Sequence, residues 1–73
     1  MRFVIALTLG ARRRRLAGHL TEILEHADGV QIVAGRGRNA VTVEMPENLR
    51  EGLQRKIDFA TIEPARELRL LGD

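Results

Sequence analysis

The chain has no cysteine, no serine, no tryptophan and no tyrosine. Without cysteine no disulfide can staple a small fold, and no thiolate can bind a metal or act as a nucleophile. Without serine the most familiar hydroxyl nucleophile is also missing. No acidic pair is flanked by apolar residues whose burial would raise a carboxyl pKa, so a hydrolytic carboxylate pair is not marked in the sequence. The sequence reads as that of a non-enzyme, with no cofactor and no metal. The apolar stretch Phe3 to Leu9 is far too short to cross a membrane, which takes about 20 residues. Its arginines follow it, the reverse of a secretory signal. The expected chain starts at Met1 in the cytoplasm, with no membrane partner.

What remains is a 73-residue chain, 44% hydrophobic and 30% charged, which suits one small globule. A domain of this size buries only about 60% of the surface its unfolded chain exposes, so modest stability is expected. The formal charge is +2, and eleven of the twelve bases are arginine. The charge is uneven. Residues 1–38 set seven arginines against Glu22, Glu25 and Asp28, for +4; residues 39–73 come to −2.

Periodicity then divides the chain. Arg2 to Leu9 alternates, with Phe3, Ile5, Leu7 and Leu9 on one face and Val4, Ala6 and Thr8 on the other, and Gly10 ends this strand. Leu16, Leu20, Ile23, Leu24 and Ala27 make one apolar stripe, predicting a helix from about Arg12 to Ala27. Asp28-Gly29 closes it, with Gly29 suited to a left-handed conformation. A second strand, Val30 to Ala34, turns through Gly35-Arg36-Gly37-Arg38-Asn39 into a third, Ala40 to Met45, whose core face is Val41, Val43 and Met45. Pro46 opens a second helix carrying Leu49, Leu53 and Ile57. Phe59 to Ile62 forms a fourth strand, and Pro64 ends it.

This β-α-β-β-α-β order predicts an α+β, ferredoxin-like sandwich: an antiparallel four-stranded sheet with two helices on one face. Each helical crossover is expected to join parallel strands that lie side by side. Residues 1–64 would form the single domain and residues 65–73 a C-terminal tail.

Candidate sites are few. His19 and His26 sit two helical turns apart, roughly 10 Å, too far for the usual metal pair at i, i+4. They read as flank residues, with a Glu22–His26 contact. Arg12, Arg13, Arg14 and Arg15 at a helix start oppose the macrodipole, and with Arg36 and Arg38 they form a candidate anion site. No aromatic lies on the open face of the first or third strand to stack a base, so a solvated helix start outweighs nucleic acid. The open sheet face should display Val4, Ala6, Thr8, Gln31, Val33, Ala40, Thr42, Phe59 and Thr61. None is charged, which points to a covered, partner-binding face.

The second half resembles a known family. Asn39-Ala40-Val41-Thr42-Val43-Glu44, then the second helix, then Phe59-Ala60-Thr61-Ile62-Glu63-Pro64-Ala65-Arg66-Glu67-Leu68-Arg69-Leu70 is similar to the propeptides of subtilisin-like serine proteases and to the fungal proteinase B-type inhibitors. In that family a short helix leads to a strand of the type Val-Ala-x-Val-Glu-Pro-Asp. The resemblance is best over residues 39–71 and only topological over residues 1–34. It implies an inhibitor or folding chaperone of a subtilisin-like protease. The open sheet face, with Phe59 and Thr61, would dock on two protease helices. Glu63 would cap those helices' N-termini, and the tail would enter the active-site cleft as a substrate-like strand. Leu68 and Leu71 would then meet hydrophobic pockets, beside Leu70, with Leu71-Gly72 at the scissile position. The family's second acid is Ala65 here, with Glu67 as its nearest substitute. No protease follows, which fits a free-standing inhibitor or a detached relative of the fold better than a propeptide. Two other classes stay open: an ACT-like small-ligand regulatory domain pairing as a homodimer, and, less favoured, nucleic-acid binding through the arginines.

Overall fold

A computed structural model describes residues 1–65. Four strands and three α-helices follow in the order β1 (Arg2–Leu7), α1 (Leu9–Arg13), α2 (Ala17–His26), β2 (Gln31–Ala34), β3 (Ala40–Glu44), α3 (Arg50–Lys56) and β4 (Ala60–Pro64), with a 3-10 turn at Glu47–Leu49 leading into α3. The strands form one antiparallel sheet in the order β2-β3-β1-β4. The fold is α+β and compatible with a ferredoxin-like sandwich, as the element order predicts. One expectation fails. β1 and β2 run parallel, but β3 lies between them, and β1 lies between β3 and β4. Each helical crossover therefore steps over one strand.

The alternating pattern explains which side is core. Phe3, Ile5 and Leu7 of β1, Val41 and Val43 of β3, Met45 just beyond it, and Ala60 and Ile62 of β4 are all buried. Leu20 and Leu24 of α2, Leu53 of α3 and the following Ile57 cover them. Each fully buried Leu, Ile or Phe contributes about 1.5–3 kcal/mol relative to exposure. The helix stripes read from the sequence are thus the surfaces that close this core.

The predicted helix Arg12–Ala27 is instead two helices. The chain leaves β1 after Leu7, not Leu9. Thr8 caps α1, its Oγ1 accepting the Ala11 N–H at 3.2 Å. Gly10 lies inside α1 rather than ending the strand, and Leu9, assigned to the core face, is 65% exposed. α1 then stops in a Schellman turn: the Leu16 N–H donates to the Ala11 carbonyl (3.2 Å) and the Arg15 N–H to the Arg12 carbonyl (3.0 Å). That turn needs a left-handed residue, usually glycine, and here it is Arg15 at φ 58°. Leu16 and Ala11 are held to the core on either side of it, which fixes the bend.

The hairpin between β2 and β3 forms as expected, with Gly35 (φ 83°) and Gly37 (φ 79°) in the left-handed region. Thr21, the one buried polar residue among those described, accepts the Gly37 N–H at 2.8 Å and pins the hairpin to α2. β2 starts at Gln31 rather than Val30 and is bulged, because Ile32 pairs with Val43 while Ala34 pairs with Thr42.

Candidate functional site

The helices and the turn into α3 cover one side of the sheet, and the other side is open. Register arranges the open side in rows. Ala40, Ala6 and Thr61 lie across one row, Thr42, Val4 and Glu63 across the next, and Gln31, Glu44 and Arg2 across the last. Val4, Ala6 and Thr42 are half-buried by their neighbours, while Gln31, Ala40, Thr61 and Glu63 are exposed. Val33, at the bulge, is 43% exposed.

The expectation of an uncharged face is corrected. Alternation carried one step further along β1, β3 and β4 adds Arg2, Glu44 and Glu63 to it. Glu44 accepts hydrogen bonds from the Met1 ammonium (2.5 Å) and from Arg2 Nε (3.2 Å). The ammonium first, then Arg2, hold its carboxyl below the usual glutamate range. The face thus has a small, mildly apolar centre, a charged end at Arg2 and Glu44, and Glu63 on the β4 edge of the row of Val4 and Thr42.

Phe59 is also corrected. It precedes β4, and its ring stacks on His19 of α2, with centroids 5.7 Å apart, on the helix side. It packs against the core and does not face out with Thr61. His19 stays exposed, as expected of a flank residue, and adds a stacking contact with Phe59. The expected Glu22–His26 contact is present through the main chain: His26 Nδ1 lies 2.8 Å from the Glu22 carbonyl oxygen. Of the tail positions, Glu67, Leu68, Leu70 and Leu71 lie outside the described residues. The chain reaches them from Ala65, whose N–H donates to the Arg2 carbonyl at 2.9 Å.

The two sheet edges differ. On β4 the outward backbone groups are occupied: Ala60 N–H donates to the Ile57 carbonyl, and Gln54 Nε2 donates to the Ala60 carbonyl (2.7 Å). Gln54 Oε1 accepts the Ile62 N–H (3.3 Å), Arg50 donates to the Ile62 carbonyl (2.9 Å), and Pro64 has no N–H to offer. Arg50 also lies over the Phe3 ring, 5.8 Å from its centroid. On β2 no side chain does this among the described residues. Sequence patterns did not mark Gln54 or Arg50, because their role exists only once α3 lies beside β4.

The arginines gather at the far end of the sheet. Leu7 N–H donates to the Asn39 carbonyl (2.9 Å) and Thr8 N–H to the Phe59 carbonyl (3.0 Å), so α1 and the hairpin turn share that end. Arg12 and Arg13 occupy the last turn of α1, where cations complement the macrodipole, which reverses the predicted conflict. Arg14 and Arg15 follow in the bend, and all four are exposed. Arg38 is exposed in the hairpin turn, whereas Arg36 pairs with Glu25 of α2. No group of three or more potential metal ligands occurs among the described residues.

No family model matches the sequence, and no curated protein and no solved structure matches it significantly.

Proposed function

We propose that the chain is a binding module that docks through its open sheet face on a serine protease of the subtilisin class, as an inhibitor or folding chaperone. The observation that carries this reading is the one-sided layering. A four-stranded sheet has its helices on one side only, and the bare side is centred on Val4, Ala6, Ala40 and Thr42. Glu63 stands on this face at the end of β4 from which the tail departs. In the proposed complex its carboxylate accepts N–H groups at the start of a protease helix, where the dipole favours an anion. The tail leucines then serve the substrate cleft, an extended-strand mode of recognition.

The test is inhibition of peptide hydrolysis by a subtilisin, titrated with the full chain. Inhibition at or below micromolar concentration is expected. Thr42→Arg, placed on the open face away from the core, should weaken it tenfold or more at unchanged circular dichroism. A chain silent up to that concentration, or a Thr42→Arg variant as potent as the parent, refutes the docking.

One observation favours a second reading. β2 is uncharged, and the backbone N–H and C=O of Ile32 face outward with no partner among the described residues. Two copies could join these edges into one continuous sheet, the side-by-side arrangement of ACT-like regulatory domains. Sedimentation over a concentration series tests it: a dimer broken by Val33→Lys supports the reading, and a monomer throughout removes it.

A further inference from the structure

We propose that the end of the sheet formed by α1, the bend after it and the β2–β3 hairpin turn binds the phosphodiester backbone of a nucleic-acid duplex. Arg12, Arg13, Arg14, Arg15 and Arg38 share this end, are exposed, and make no ion pair among the described residues. Arg2 at the opposite end and Arg36 in this turn are each matched by a glutamate, Glu44 and Glu25, whereas these five exposed like charges gather at one end without one, a concentration that a dense anion would relieve.

Backbone geometry adds to the charge. The bend places Arg15 at φ 58°, a conformation costing a side-chain-bearing residue about 1 kcal/mol relative to glycine. α2 then starts with Leu16 as its cap and no side-chain acceptor for its first N–H groups. Those N–H groups follow directly on Arg14 and Arg15 in the chain, and donors at a helix start favour an anion.

The chemistry selects the occupant. A duplex carries one negative charge per roughly 1.7 Å of its axis, a density that suits several guanidinium groups side by side. Single strands are held largely by stacking on aromatics, and the two rings at this end among the described residues, Phe59 and His19, are stacked on each other, with Phe59 half-buried. A lipid surface takes up a broad apolar helix face, and α1, five residues long, offers the solvent one large apolar side chain, Leu9. Contacts to phosphates alone carry no base readout, so binding is independent of sequence.

Fluorescence anisotropy of a short labelled duplex, with the full chain at increasing salt, tests this. If all five arginines engage phosphates, the log–log slope approaches about −4.5, and affinity falls roughly 500-fold between about 50 and about 200 mM salt. Arg12→Gln, Arg14→Gln and Arg38→Gln should each lessen the slope by about 0.9, with circular dichroism confirming an unchanged fold. Arg2→Gln, at the opposite end, should leave the slope as it was. The proposal fails if the duplex does not bind at low salt, or if the Gln variants keep the parent's slope. It also fails if a single strand, polyglutamate or phosphatidylserine vesicles bind more tightly than the duplex at equal salt.

Discussion

Gln54→Ala tests whether the β4 edge is held shut by side chains. In the parent, one amide makes contacts to three backbone groups: donations to the Ile57 (3.1 Å) and Ala60 (2.7 Å) carbonyls, and acceptance of the Ile62 N–H (3.3 Å). A net hydrogen bond is worth about 0.5–1.5 kcal/mol, which gives a gross range of roughly 1.5–4.5 kcal/mol. The site is only partly buried, so water recovers some of this, and about 2 kcal/mol is the expected loss. For a domain of this size that is a fall in Tm of roughly 8–16 °C. Gln54→Glu should do worse than the loss of two donors alone implies, because a carboxylate then faces the two carbonyls.

The assay is urea unfolding followed by circular dichroism, with sedimentation in parallel. The parent should stay soluble and unpaired at this edge; the Ala variant exposes strand groups and should self-associate more at high concentration. Arg50→Ala removes the other clamp on Ile62, together with its contact over Phe3. Since both side chains hold the same residue, the double variant should lose a sum that is not additive, with a coupling of at least about 0.5 kcal/mol. A Gln54→Ala variant within 0.5 kcal/mol of the parent (roughly the scatter of neutral surface changes) would refute the reasoning, since water would then serve the edge as well as the amide does.

Three other outcomes follow from particular residues. Arg15→Gly should stabilise the fold by about 1 kcal/mol in the same unfolding assay, by relieving the left-handed strain at φ 58°; a loss of stability would mean that the arginine's packing outweighs it. Gly35→Ala should destabilise by about 2 kcal/mol or more, because a Cβ there would lie 2.3 Å from the Ala40 carbonyl oxygen at φ +83°; an unfolding midpoint equal to the parent's would show that the hairpin yields freely. Glu44 has a depressed folded-state pKa, so its contribution is present above the ordinary glutamate pKa and is lost as pH falls through the lower folded value. The parent should therefore lose stability on acidification more steeply than Glu44→Gln, and parallel pH profiles would contradict the pairing.

Much of the fold was legible because one side of each element is buried. Strand alternation named Phe3, Ile5, Val41, Val43 and Met45, and the helical stripe named Leu20 and Leu24, since burial imposes those periods. The break between α1 and α2 was not legible. Leu16 continues the stripe of α2, so the apolar pattern runs on through the bend, and arginine is an uncommon residue for the left-handed position that makes it. Glycine would have announced the turn. Phe59 misled for a related reason: alternation counts residues but does not know where a strand begins, and the turn before Ala60 rotates the ring toward His19. Of the candidate surfaces, the composition of the open face was nearly readable, and only its charged end was overlooked. The clamp of Gln54 and Arg50 on β4 depends on tertiary placement alone.

The two proposed surfaces make separable demands on the chain, and this makes a crossed test decisive. Glu63 and the departure of the tail lie at the Arg2 end of the sheet, whereas the arginine group lies at the end where β1 passes into α1. Thr42 belongs to the open face, in the row of Val4 and Glu63, and its partner on β2 is Ala34, whereas Arg12 and Arg14 lie in and after α1. Sites so placed, with no shared partner, should respond independently to substitution. Thr42→Arg should therefore weaken protease inhibition while leaving duplex affinity level, or slightly raised by its added charge. Arg12→Gln with Arg14→Gln should do the reverse: weaker duplex binding and unchanged inhibition. If either change lowers both activities at constant unfolding midpoint, one surface is being read as two. If both variants alter inhibition alone, the arginines serve the protease contact, and the charge asymmetry steers that encounter instead of gripping a phosphate backbone.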